Sequence, residues 1–137
     1  MVVFDWKRVS LALAATTGGM ALATSAHATV VQWADLTDAS TDAAGVWTIN
    51  GNIMVGGDVV GVTFTGTGVR FAQTNGGYNY YESGNAYTNG EVENRPETPD
   101  IIAIQSGSLK TISFSKAVSN VYLALVSWNN NSGTFNQ

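Results

Sequence analysis

Short segments of alternating hydrophobic and polar residues, separated by glycine and asparagine, fill residues 29–137 of this chain. The clearest example is 59–65, where Val60, Val62 and Phe64 alternate with small or polar residues. A period of two places these three side chains on one face of a β-strand. No part of 29–137 keeps a helical period over a useful length, so the pattern predicts β-structure throughout.

Turn residues divide this pattern into strands. Asn50-Gly51-Asn52 is predicted to join strands 46–49 and 53–55 as a hairpin, because asparagine and glycine tolerate positive φ. A second turn is predicted at 56–58, and 34–45 is predicted to be a polar linker. Ile112 and Phe114 are expected to face inward. Further strands are predicted at 29–33, 69–73, 101–104, 109–115 and 121–126, the last one central because it is apolar on both faces.

Eight or nine short strands at this spacing predict an all-β fold, a two-sheet β-sandwich of jelly-roll-like form. Residues 74–100, rich in Asn, Gly and Tyr and then acidic, interrupt the pattern and predict one long loop. Loops of that length in compact domains are usually functional or disordered. The chain stops at Gln137 inside a strand-like segment, so we expect a C-terminal truncation that leaves a sheet edge open to self-association.

The N-terminus has the layout of a secretory leader. Lys7 and Arg8 precede an apolar, small-residue run at 9–22, and Ser25-Ala26-His27-Ala28 ends in a small-x-small motif. These features predict a signal peptide at 1–28 and a single exported domain at 29–137. The run is too short and too rich in Ala, Thr and Gly for a comfortable membrane span, although a membrane-anchored or cytosolic N-terminal helix is the alternative.

Composition excludes several function classes. Nine acidic and four basic residues give 29–137 a net charge of −5, which argues against nucleic acid and anionic membranes as partners. The absence of cysteine excludes thiol catalysis and zinc–thiolate sites. The single histidine, His27, lies in the leader, so the domain has no imidazole for Ser-His-Asp chemistry. No cofactor and no enzymatic activity are predicted.

The loop carries the candidate binding residues, four tyrosines with asparagines between them: Tyr78, Tyr80, Tyr81 and Tyr87. Exposed aromatic rings beside amide groups suit a glycan, since the rings cover sugar C–H groups while the amides bond hydroxyls. In an extended chain, Tyr78 and Tyr80 would project to the same side. The alternative is that the tyrosines cover the sheet edge. Outward, co-planar rings would favour glycan binding, and inward rings would favour the structural role.

Carboxylates offer weaker candidates. Asp35, Asp38 and Asp42, and separately the acidic residues of 91–100, contain oxygen ligands for calcium, but neither group has the spacing of a calcium loop. No metal site is therefore predicted. Glu82 and Glu91 are a formal carboxylate pair for glycoside hydrolysis, although nothing in their spacing demonstrates the required separation.

Strand and turn segments between 46 and 128 resemble a known family. The most specific block is 112–118 followed by 123–127, and other matching segments lie at 50–57, 61–66, 71–77 and 99–102. Together they resemble the secreted PEP-CTERM-type proteins of Gram-negative bacteria. The resemblance implies an exported β-sandwich associated with exopolysaccharide and biofilm material. It also implies a C-terminal Pro-Glu-Pro sorting tail, which this sequence does not contain, either because a missing C-terminus carried it or because this member is simply secreted. The resemblance assigns no functional residue.

The sequence therefore predicts a secreted, non-catalytic structural protein of the cell surface or extracellular matrix, exported through the periplasm. The alternative function is a carbohydrate-binding module that uses the Tyr- and Asn-rich loop at 74–90. A carboxylate-based hydrolase ranks third.

Overall fold

The computed structural model describes residues 28–82, 88–105 and 108–125. Within these ranges the chain is all-β, as predicted, with six strands in two antiparallel sheets and no helix that could cross a membrane. The strands are β1 (Asp35–Thr41), β2 (Trp47–Val55), β3 (Asp58–Gly66), β4 (Val69–Gln73), β5 (Ile101–Ile104) and β6 (Lys110–Phe114). One sheet has the order β1-β2-β3-β6, and the other pairs β4 with β5.

The hairpin between β2 and β3 turns at Gly56-Gly57, where both residues have positive φ (58° and 90°) and Val55 pairs with Asp58. Two-residue hairpin loops require such angles, and two glycines adopt them without steric cost. The predicted turn at 56–58 is therefore confirmed. The predicted turn at 50–52 is wrong, because β2 continues through it. The alternation that buries Ile49 runs on past Asn50-Gly51, so the pair lies inside one strand.

The predicted polar linker at 34–45 is also wrong, since Asp35–Thr41 forms the edge strand β1. Only Leu36 of this strand is partly buried, so the segment lacks the apolar alternation that marks a strand. Gly51 allows β1 to approach β2 closely. A Cβ on Gly51 would collide with the Asp35 carbonyl oxygen and lie 3.0 Å from the Leu36 Cα. The glycine is therefore required for close approach and not for a turn.

Both sheets contribute to one hydrophobic core. Ile49, Phe64 and Val69 are buried together, and Leu36, Trp47, Ala72 and Ile102 pack against them. Val60, Val62 and Phe64 of β3 are all buried, which confirms the predicted inward face of that strand. Strands β4 and β5 also agree with the predicted segments at 69–73 and 101–104.

Edge strand β6 is less buried than predicted. Phe114 pairs with Val62 and Ile112 with Phe64, so both lie on the inner face of the sheet. Ile112 nevertheless remains 41% exposed, and Phe114 is half-buried. Ile112 therefore faces inward as predicted but is not buried, because the residues of β4 and β5 in the core cluster pack with those of β1, β2 and β3, and the cluster contains no residue of β6.

Two other predicted strands are wrong. Residues 121–125 form no strand, and Val121 and Leu123 are exposed, so the predicted central strand at 121–126 fails over its described part. Val126 and residues 127–137 lie outside the described residues. The predicted strand at 29–33 is reduced to one parallel bridge between Thr29 and Val92.

The predicted long loop at 74–100 is confirmed in its described parts, 74–82 and 88–100, which contain no strand. Asn94 attaches this loop to the N-terminal segment. Its Oδ1 accepts a bond from the Val31 amide at 2.7 Å, and its Nδ2 donates to the Val31 carbonyl at 2.9 Å. Trp33 Nε1 donates to the Asn94 carbonyl at 3.2 Å. The loop therefore has fixed contacts with a distant part of the chain.

Candidate functional site

The first half of the loop presents two tyrosine rings to solvent. Tyr78 is 70% exposed and Tyr80 is 36% exposed. Their ring centroids are 4.9 Å apart with an interplanar angle of 73°, an edge-to-face arrangement. We call these two residues the tyrosine pair. Such contacts are favourable because the positive edge of one ring meets the negative face of the other.

The C-terminus of β4 positions the pair. Gln73, the last residue of β4, donates through Nε2 to the Tyr78 carbonyl at 3.0 Å and also to the Pro99 carbonyl. Gly76 and Gly77 then reverse the chain with φ of 73° and 107°. The φ of Gly77 favours glycine, and a Cβ there would force the Gln73 carboxamide to move from its present position. Gln73 thus links the backbone at Tyr78, near the start of the loop, to the backbone at Pro99, near its end.

Phe71 connects the pair to the smaller sheet. The centroid of its ring lies 6.5 Å from that of Tyr80, with an interplanar angle of 36°. Because Phe71 is half-buried in β4, its ring contact holds Tyr80 against the smaller sheet. Tyr78 is more exposed to solvent than Tyr80. The two tyrosines are therefore unequal, with Tyr80 closer to the domain and Tyr78 at the tip.

Tyr81 contradicts the prediction of an exposed binding residue, because only 5% of it is accessible. Its hydroxyl donates to the Asp100 carbonyl at 3.2 Å, and its amide donates to Asn79 Oδ1 at 2.8 Å. Residues 80 and 81 lie in a turn, which directs adjacent rings to different environments. The edge-covering alternative therefore describes Tyr81. Tyr87 lies outside the described residues.

Arg95 holds this turn from the other half of the loop. Its guanidinium donates to the Tyr81 carbonyl at 3.1 Å and to the Glu82 carbonyl at 2.9 Å. Planar guanidinium groups suit two neighbouring acceptors because their donors form a fixed fork. Neither Gln73 nor Arg95 was identified from the sequence, since a supporting hydrogen bond to a backbone carbonyl leaves no local motif.

Asp100 is a buried carboxylate beneath the loop. Its Oδ2 accepts a hydrogen bond from the Leu36 amide at 2.8 Å, which connects the end of the loop to β1. Burial raises the pKa of Asp100 above its ordinary value of 3.8. The bonds from Leu36 and Thr98 oppose this rise, and the nearby Asp35 carboxylate adds to it. Burial is the largest of these effects, because loss of water contacts penalises the charged form of the carboxyl group.

Two other acidic side chains, those of Asp42 and Asp58, make structural contacts. Asp42 Oδ1 accepts bonds from the Ala44 and Val46 amides, both at 2.9 Å, and so stabilises the turn before β2. Asp58 forms an exposed ion pair with Lys116 at 2.9 Å. Glu82 and Glu91 are both exposed. No group of three or more acidic or histidine side chains suited to a metal ion occurs in the described part of the chain.

The arrangement provides a bent aromatic surface with amide groups beside it. Two ring planes at 73° cannot both lie flat on one planar ligand, so the rings are exposed but not co-planar, and they have only one of the two properties that together would favour glycan binding. Asn75 is exposed three residues before Tyr78, and Asn79, whose Oδ1 accepts a hydrogen bond from the Tyr81 amide, lies between the two tyrosines in sequence. The two rings offer apolar faces and hydroxyls at the surface, and Asn75 adds an exposed carboxamide in the same loop.

Comparison with known proteins adds no relative, because no protein-family model, no curated protein and no solved structure matches this chain.

Proposed function

We propose that this chain is a secreted, non-catalytic β-sandwich domain of the extracellular matrix that binds a glycan through the tyrosine pair. The observation that carries the proposal is the 70% exposure of Tyr78, in edge-to-face contact with Tyr80. An aromatic ring in water loses the stabilisation that burial would provide. A sugar ring stacked on it removes apolar area from water, and nearby carboxamides bond the hydroxyls.

The angle between the rings favours a particular ligand shape. A flat crystalline surface would contact one ring only. A single sugar unit or a kinked chain fits two planes inclined at 73°. The support from Gln73 and Phe71 reduces the conformational entropy lost on binding, because the loop is held before the ligand arrives. These features favour a soluble, flexible polysaccharide over an ordered polymer surface.

Other observations support the compartment and the architecture. The leader pattern at 1–28 supports export, and the shared core of the two sheets supports a sandwich. The resemblance to PEP-CTERM-type proteins supports an association with exopolysaccharide. The lack of cysteine and of histidine beyond His27 supports a role in binding rather than catalysis.

Substitution of the two tyrosines tests the proposal. Tyr78→Ala and Tyr80→Ala should each weaken retention on an immobilised bacterial exopolysaccharide several-fold, since loss of a stacked face costs about 1 kcal/mol. Tyr78→Phe keeps the ring and is the matched control, which should retain most of the binding. Thermal melting should change little for Tyr78→Ala, because its ring lies outside the core.

Two results would contradict glycan binding at this site. Unchanged retention in both alanine variants with an intact fold would show that the tyrosines bind no glycan. Unfolding of both variants would show that the pair is structural cover. That second result would leave the matrix-structural role as the better proposal.

A further inference from the structure

Three Asn-Gly pairs occur in the chain, and the structure places them in three different environments: Asn50-Gly51, Asn75-Gly76 and Asn89-Gly90. An Asn-Gly pair is the sequence most prone to spontaneous deamidation, because glycine lets its own backbone nitrogen reach the preceding carboxamide. The reaction needs a free carboxamide and a backbone that can rearrange. The three environments therefore predict very different reactivities from the same dipeptide.

Asn50-Gly51 is held on every side. Asn50 Nδ2 donates to Asp38 Oδ2 at 3.2 Å, and its Oδ1 accepts from Thr63 Oγ1 at 2.9 Å. Gly51 is buried between β1 and β3, where it pairs with Leu36 on one side and with Val62 on the other, and it packs against the backbone of Leu36. A cyclic imide at this position would break both strand pairings, so β2 would have to open first.

Asn89-Gly90 is restrained to an intermediate degree. Asn89 Oδ1 accepts bonds from the amides of Glu91 and Val92 at 2.7 and 2.9 Å. The Asn89 amide donates to the Val92 carbonyl at 2.9 Å. These bonds fix the carboxamide toward the following residues, although Gly90 itself is exposed with open space around it.

Asn75-Gly76 has the weakest restraints of the three pairs: it lies outside the strands, and its carboxamide makes one exposed hydrogen bond to the neighbouring residue. Both residues are exposed, and nothing lies within 4 Å of the position a Gly76 Cβ would occupy. Asn75 Nδ2 donates to the Thr74 hydroxyl at 3.3 Å, and within the described ranges no protein group donates to its Oδ1. The turn contains no strand pairing, so its backbone can rearrange without breaking a sheet.

We propose that Asn75 is the site of spontaneous deamidation in the folded domain. Hydroxide removes the proton of the Gly76 amide, and that nitrogen attacks the Asn75 side-chain carbonyl carbon. A C–N bond forms, and ammonia leaves with the electron pair of the former carboxamide bond. Water then opens the cyclic imide to aspartate or isoaspartate. One water is consumed and one ammonia is released.

The modification changes the tyrosine pair. It places a new carboxylate three residues before Tyr78, and the isoaspartate form lengthens the backbone by one methylene inside the turn that Gln73 anchors. This consequence for binding rests on the proposed glycan function, whereas the chemical reaction at Asn75 does not. An exposed extracellular domain would then lose affinity with age at a rate set by this turn.

Mass spectrometry of proteolytic fragments tests the reaction. During incubation of the folded domain at mildly alkaline pH, Asn75 should convert first. Asn50 should convert at least about tenfold more slowly, since its strand must open locally. In concentrated urea the three rates should converge. Equal rates in the folded domain, or the same ranking in urea, would overturn the proposal.

Asn75→Gln is the matched variant, because glutamine keeps the amide but would require a larger, slowly formed ring. It should remove the first conversion and leave the other two sites unchanged. Retention on the immobilised exopolysaccharide should fall on ageing for the parent and stay constant for Asn75→Gln. If Asn75 deamidates while fresh protein shows no retention at all, glycan binding fails and the modification site stands.

Discussion

At the residue scale, Asp100 combines burial with a structural hydrogen bond to the Leu36 amide. Its raised pKa means that the folded state holds the carboxyl proton more tightly than the unfolded chain does. The contribution of this group to stability is therefore full below the ordinary pKa of 3.8. It is lost as the pH rises through the higher pKa of the folded state.

Asp100→Asn should remove this pH dependence, since asparagine can still accept the Leu36 bond and carries no charge. We expect the variant to gain stability relative to the parent as the pH rises from the acid range to neutrality. Urea unfolding of both proteins across that range measures the difference. Asp38→Asn, on the exposed sheet face, is the control. A difference between parent and Asp100→Asn that is flat, or that runs the other way, would show that desolvation is not the leading effect.

At the element scale, β3 and β6 carry phenylalanines on the same inner face but in different positions within the sheet. Phe64 lies in β3, between two neighbours, and belongs to the core cluster. Phe114 lies in the edge strand β6 and is half-buried. The alternation in the sequence predicts equal burial for the two phenylalanines, whereas the order of strands in the sheet buries Phe64 more fully than Phe114.

Phe64→Ala should cost about 3–5 kcal/mol of unfolding free energy, as expected for a buried aromatic side chain. Phe114→Ala should cost clearly less, because solvent already reaches part of its ring and surrounding groups can fill the space. Chemical denaturation of the two variants provides the comparison. An equal or greater loss at Phe114 would mean that β6 is covered more fully than its exposure shows.

The sequence pattern predicted a strand correctly where that strand buries only one of its two faces. Val60, Val62 and Phe64 alternate because β3 has a core on one side only, and Gly56-Gly57 has the conformational freedom that its turn demands. β1 gave no such signal, since a single inward side chain, Leu36, cannot establish a period. Its strand geometry comes from pairing with β2, which is a property of its neighbour.

The candidate site was predictable only in part. Clustered tyrosines indicated the loop, but Tyr80 and Tyr81 are adjacent in sequence and opposite in exposure. That difference arises from the local turn and from the long-range bond between Tyr81 and Asp100. Likewise, Asn50-Gly51 has the residues of a turn, yet Gly51 serves the close approach of β1. Tertiary contacts decide both cases.

At the scale of the whole molecule, Thr29 is both the first residue after the predicted leader and a residue of the folded domain. Expressed with its own leader in a Gram-negative host, the protein should appear in the periplasm or medium with Thr29 as its first residue, because the small-x-small motif ends at Ala28. N-terminal sequencing of the exported fraction checks this. Recovery of mostly intact Met1 in that fraction would contradict the predicted leader.

The attachment of the N-terminal segment to the loop has a consequence for the timing of the predicted leader cleavage. The Thr29 amide donates to the Glu91 carbonyl at 2.9 Å, and the Thr29 carbonyl accepts from the Glu93 amide at the same distance. A protease that cleaves before Thr29 needs several extended, unpaired residues in its cleft. Thr29 itself is already paired with the loop in the folded domain, so we expect cleavage at the predicted site to precede the docking of 29–33. If the predicted leader is present, slow processing would delay this docking, and premature folding would protect the precursor from cleavage.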